Sequence, residues 1–159
     1  MKSNHGQHQH GAPRHYRHLA MMAALSFISM YALMYAMVDR LDNVYNNFNQ
    51  FYMAGLMTAP MVVIEIFLMR SMFPDRRLNA AIVAACAIAT VGFWFLIRGQ
   101  AAIGDRQFLK SMIPHHAAAV LMCRKAPIGD ADVERLCRQI VASQEGEIRL
   151  MKDKLAKLN

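Results

Sequence analysis

The sequence predicts an all-α membrane protein, with three transmembrane helices followed by an extramembrane hairpin of two helices. Three observations predict it. Residues 19–38, 51–69 and 78–97 are apolar runs of about 20 residues, the length needed to cross a hydrocarbon core of ~30 Å. Apolar residues make up 55% of the 159, and they are gathered into separate runs rather than spread in one soluble core pattern. After Asp105 the pattern changes to apolar stripes at spacings of three and four, on both sides of Ala126-Pro127-Ile128-Gly129-Asp130. That segment stops one helix and supplies a capping aspartate for the next, so an antiparallel hairpin over residues 105–159 follows.

Residues 1–18 form a polar leader in which Gly6, Gly11 and Pro13 interrupt helix formation and His5, His8, His10, His15 and His18 recur. No packed core is expected there. The histidines read either as a weak metal-collecting tail or as part of a plain cationic leader. The second reading is simpler, because unordered ligands lose conformational entropy on binding. The first apolar run ends at Met37-Val38-Asp39-Arg40 and is too long for a cleaved signal segment, so it should stay attached as a span. Residues 39–50 form an asparagine-rich connection. The second run contains Gly55, Pro60 and Glu65; Arg70, Arg76 and Arg77 surround the following turn, and Trp94 closes the third run as an interfacial residue.

The formal charge of +7 does not point to nucleic acid, because no nucleic-acid motif is present and the basic residues flank apolar runs, where lipid headgroups and topology account for them. Lys2, Arg14 and Arg17 in the leader and Arg70, Arg76 and Arg77 in the second connection outnumber the single Arg40 of the first. Leader and second connection are therefore expected in the cytoplasm. Three crossings then place the C-terminal domain outside, which in a bacterium means an inner-membrane protein with a periplasmic domain. Arg98, Arg106 and Lys110 after the third run oppose this count.

The chemistry-bearing segment is Met112-Ile113-Pro114-His115-His116. At about 100° per residue, Phe108, Met112, His115, His116, Ala119, Met122 and Cys123 share one side of a helix. Leu136, Cys137, Ile140, Gln144, Glu147, Ile148, Met151 and Leu155 form a stripe on the next, and the two faces should meet. The plain alternative is that the histidines brace the hairpin through hydrogen bonds. The pairing of His115 and His116 with Met112, Met122 and Met151, and with Gln144 and Glu147 as ligands or orienting groups, favours a metal. Thioether with imidazole suits cuprous copper best and tolerates cupric copper or zinc. In the second run Met53, Met57, Met61, Glu65 and Met69 recur in steps of four, readable as a metal path or as adaptable packing between spans. Glu65 is a functional candidate because an ionisable group inside a span is costly.

Asp105-x-x-Phe108-Leu109-x-x-Met112-Ile113-Pro114-His115-His116, Met122, and Gln144-x-x-Glu147-Ile148-x-x-Met151 resemble the bacterial domain of unknown function 305 family. The resemblance implies a ferritin-like helical bundle and an association with copper binding and copper tolerance outside the cytoplasm. This chain carries one hairpin where full-length relatives often carry two, so a complete four-helix bundle would need a second chain. Cys123 and Cys137 stand where the commoner family pattern has small residues. Lying on both inward stripes across the turn, they read as a disulfide pair in an oxidising compartment, with the alternative that both thiols serve as cuprous ligands.

No enzyme motif is present: there is no phosphate loop, nucleophile elbow, Cys-x-x-Cys or His-Glu-x-x-His, and no paired Glu-x-x-His of a di-iron centre. The expected function is a membrane-anchored copper-binding protein that buffers the ion or hands it to a copper-handling envelope protein. The rivals are a structural module that self-associates and an accessory to a metal transporter. Because one hairpin buries little apolar surface, a homodimer or larger oligomer, or support from the spans, is expected.

Overall fold

The computed structural model describes residues 12–158, and it is helical throughout, with no strand among those residues. The helices are α1 (Ala12–Leu33), α2 (Phe48–Leu68), α3 (Arg76–Arg98), α4 (Asp105–Lys125) and α5 (Ala131–Lys157), with short 3-10 turns at Met34–Met37 and Leu41–Asn43. Three helical stretches, Arg14–Met37, Phe48–Leu68 and Arg76–Arg98, are long and apolar enough to cross a membrane. The first is longer than its apolar run. The chain is already helical at Ala12, because Pro13 falls in the first turn, where its missing N–H costs nothing. His15 and His18 thus belong to α1, while His5, His8 and His10 lie outside the described residues.

The chain divides into two compact units. The first holds residues 52–99 with α1 up to Tyr31. Its α2 packs through a stripe of mostly small residues, Ala54, Gly55, Thr58, Ala59, Val62 and Ile66, all buried. Leu19, Val62, Ile66 and Phe73 form its core, and Tyr16 donates a hydrogen bond of 2.8 Å to Asn79 Oδ1. Asp75 caps α3 by accepting from the N–H groups of Arg77 and Leu78, which fixes the start of that helix just after Pro74.

The second unit contains the hairpin together with residues 32–51. Asp130 caps α5 through the N–H groups of Asp132 and Val133, as the turn sequence predicts. The two helices are antiparallel, with Cys123 joined to Cys137 beside the turn, His116 opposite Glu147 midway, and Phe108 sharing a pocket with Lys154 and Leu158 at the open end. Ile113, Ala117, Ile148, Met151 and Leu155 form the core.

The buried stripe of α4 is offset from the predicted one. Ile113, Pro114, His116, Ala117 and Val120 are buried, whereas Phe108 and Met122 are half exposed. On α5, Leu136 is likewise half exposed. Both flanks of α4 are partly apolar, so periodicity alone leaves its orientation open by about one residue step; the compact aliphatic residues, which pack most closely, take the centre. The hairpin also does not stand alone. Val38 and Tyr45 pack against its core, Lys152 Nζ donates to Asp42 Oδ2 at 2.8 Å, and Gln107 Oε1 accepts from the Phe48 N–H at 3.2 Å. The asparagine-rich connection is therefore a structural layer of this unit rather than a loose link.

Candidate functional site

Pro114 is buried inside α4, which runs on past it as one helix, and the two histidines after it diverge. His116 is buried against α5. Its Nδ1 lies 2.9 Å from the Met112 carbonyl oxygen and its Nε2 lies 2.7 Å from Glu147 Oε2. The Met112 carbonyl can only accept, so Nδ1 is the donor in that bond, and Nε2 and the carboxyl share the other. The Glu147 carboxyl is held below the usual carboxylate range, first by the Ser143 hydroxyl that donates to its other oxygen and then by His116. This is a histidine–carboxylate brace between the helices, the structural role that sequence reasoning weighed against ligation.

His115 is exposed, its ring meeting that of His116 edge-on at 6.2 Å between centroids. Among the described residues no hydrogen bond engages its nitrogens. It lines, with Met112, a cleft of about 350 Å³ whose opposite wall carries Met34, Met37 and Val38. The polar lining is Asn47, Asn49 and Gln50 from the segment leading into α2 and its first turn, and Ser111 from α4. These groups are already committed. Asn47, buried at the start of α2, accepts from the Gln50 N–H and donates to Tyr45 O and Gln50 Oε1. Asn49 donates to Ser111 Oγ and exchanges amide hydrogen bonds with Gln100.

The seven residues expected to share one metal are thus distributed. Met112 and His115 share the cleft; His116 and Glu147 form the brace; Met151 is buried in the hairpin core; Met122 is half exposed near the turn, and Gln144 is half buried. No group of three or more His, Cys, Asp or Glu side chains among the described residues could hold a metal ion together. Cys123 and Cys137 are joined, with Cα atoms 5.2 Å apart, and line a separate open pocket with Arg138 and Glu145. In α2, Met53 and Met57 lie on the exposed side, away from the packed small-residue stripe, while Met61 and Glu65 are half buried. Sequence reasoning missed Met34 and Met37 as partners of the hairpin. Their signal was an i, i+3 methionine pair at the exit of the first apolar run, directly before the asparagine-rich connection.

Residues 96–155 match the family described as Domain of unknown function (DUF305). The C-terminal domain belongs to that family. The DUF305 segment covers α4, nearly all of α5 and the residues leading into them. A protein of Acanthamoeba polyphaga mimivirus named Uncharacterized protein L153 is 35% identical over 103 residues, covering 64% of this chain and 66% of that protein. This chain therefore spans slightly under two thirds of the relative's length. No solved structure matches it.

Proposed function

We propose that this is a membrane-anchored metal-binding protein whose DUF305 hairpin holds copper and buffers it or passes it on. The observation that carries the reading is that half-buried Met112 and exposed His115 line one cleft, with no hydrogen bond on the His115 nitrogens among the described residues. Soft sulfur beside imidazole is a donor combination that favours copper. His116 acts here as a positioning residue, fixing α4 against α5 so that Met112 and His115 keep their place.

The proposed placement is the inner membrane of a bacterial cell, with the N-terminus in the cytoplasm and the hairpin in the periplasm. Arg70, Arg76 and Arg77 flank the connection between α2 and α3, and Arg40 alone lies in the connection after α1. The Cys123–Cys137 disulfide suits an oxidising compartment. The test is the copper content of the purified full chain in detergent. Stoichiometric copper that is lost in Met112→Leu with His115→Ala supports the reading, and wild-type protein that retains no copper against a mild chelator overturns it.

A second reading, self-association of hairpins into a four-helix bundle, is favoured by Met122, Val133, Leu136 and Leu150, apolar side chains about half exposed on α4 and α5. Cross-linking of the intact protein in native membranes tests it. A cross-linked dimer supports it, and a chain that stays monomeric at every concentration refutes it.

A further inference from the structure

We propose that Met34 and Met37 complete the metal site, so that three thioethers and one imidazole, from Met34, Met37, Met112 and His115, enclose a single monovalent soft cation. This rests on the copper reading above and adds to it a second segment of chain, outside the DUF305 domain, without which the site is incomplete. In the 3-10 turn Met34–Met37, residues three apart eclipse one another, so both thioethers leave the same face. In α4, Met112 and His115 are likewise three apart and neighbours on the helix surface. The two pairs face into one cleft of about 350 Å³. Methionine's flexible side chain lets sulfurs on opposite walls converge on an ion without movement of the backbone.

The walls are held in register independently of any ion. Val38 and Tyr45 pack on the hairpin core, Asp42 pairs with Lys152, and Asn49 bonds Ser111 at 3.3 Å. The side-chain oxygens of Asn47, Asn49, Gln50 and Ser111 are engaged in hydrogen bonds within the unit, which leaves the sulfurs and the His115 ring as the side-chain donors outside them. No carboxylate lines it. A neutral donor set compensates the desolvation of a single positive charge far better than that of a divalent ion, so cuprous copper or silver is selected over zinc. The alternative, that Met34 and Met37 only fill space, predicts that leucine serves equally well in their place.

The experiment uses the full chain in detergent with its disulfide intact, titrated with cuprous copper against a cuprous chelator and, separately, with silver. Wild type should bind one ion per chain with a sulfur-rich shell by X-ray absorption, and excess zinc should not displace it. Met34→Leu with Met37→Leu should weaken binding by more than the ~10–100-fold typical of losing an outer-shell partner, and should remove sulfur from the shell. Helical content and disulfide retention report folding of that variant. A second variant, Met37→His, should keep copper while exchanging one sulfur for nitrogen in the shell. If both variants bind with wild-type affinity and an unchanged shell while Met112→Leu with His115→Ala loses the ion, the hairpin binds alone and the composite site is wrong. If wild type binds neither copper nor silver, the copper reading falls as well.

Discussion

His115 and His116 are neighbours in the chain with opposite duties, because one residue step around a helix turns a side chain by about 100°. His116 reaches the core side and is held by Met112 O and Glu147, while His115 faces the cleft. Replacing His116 by alanine should therefore lower the unfolding midpoint and leave a weaker but still copper-binding protein. His115→Ala should leave the midpoint nearly unchanged and lose the ion. Copper affinity and denaturant unfolding of the two variants check the split. Glu147 adds a pH signature. Its folded-state carboxyl is depressed by the Ser143 hydroxyl and by His116, so the stabilisation is fully present above the ordinary carboxylate range of the unfolded chain. It is lost as the pH falls through the lowered folded value. The stability difference between wild type and Glu147→Gln, measured by denaturation across pH, should be largest near neutrality and shrink in acid; a difference that grows in acid would contradict the brace.

At the scale of elements, the hairpin is closed at its turn by Cys123–Cys137 and capped by Asp130. A disulfide spanning so short a loop contributes about 3 kcal/mol in the chain-entropy model. Cys123→Ser with Cys137→Ser should reduce the stability of the hairpin by roughly that amount, read as a lowered denaturation midpoint. Thiol labelling of wild type before and after reduction should show two additional reactive groups only after it. In the first unit, a Cβ on Gly55 would collide with the Phe93 ring, whereas one on Gly92 meets nothing within 4 Å. Gly55→Leu should cost about 1–3 kcal/mol by overpacking α2 on α3 and Gly92→Ala very little, as thermal unfolding in detergent would show. The Asp75 cap of α3 came from the structure, but the hairpin's turn and the cap of α5 were legible in the sequence because they depend on short-range signals, Pro127, Gly129 and Asp130. The packed face of α4 was not, since Ile113, Ala117 and Val120 compete with an adjoining stripe of similar apolarity, and the choice rests on what α5 and residues 32–51 bring to it.

For the whole molecule, the contacts within the second unit constrain topology. Asp42, in the connection after α1, pairs with Lys152 on α5, so both must lie on the same side of any membrane that α1, α2 and α3 cross. An odd number of crossings before the hairpin meets that condition. A reporter fused after Asn159 should be active outside the cytoplasm and one inserted near Asp75 inside it. In the same membranes, Asp42→Cys with Lys152→Cys should cross-link within one chain through a bis-thiol reagent about as long as the ion pair it replaces. An Asn159 reporter active only in the cytoplasm would remove the periplasmic assignment, and absence of the cross-link would detach the connection from the hairpin.

The sequence by itself determined the helical class, the three apolar stretches, the hairpin with its turn and the DUF305 character of the C-terminal segment, because each is written in local periodicity, length and spacing. It also placed Met112 and His115 among the candidate donors, since they stand close together in a short motif. Only the tertiary structure decided that His116 is a brace, that Met151 belongs to the core, and that Met34 and Met37 face the hairpin across a cleft. Those outcomes depend on pairing segments separated by some 75 residues of chain, from Met37 to Met112. A contact at that distance arises from competition among faces for burial and hydrogen bonds, and no local pattern of residues encodes its result.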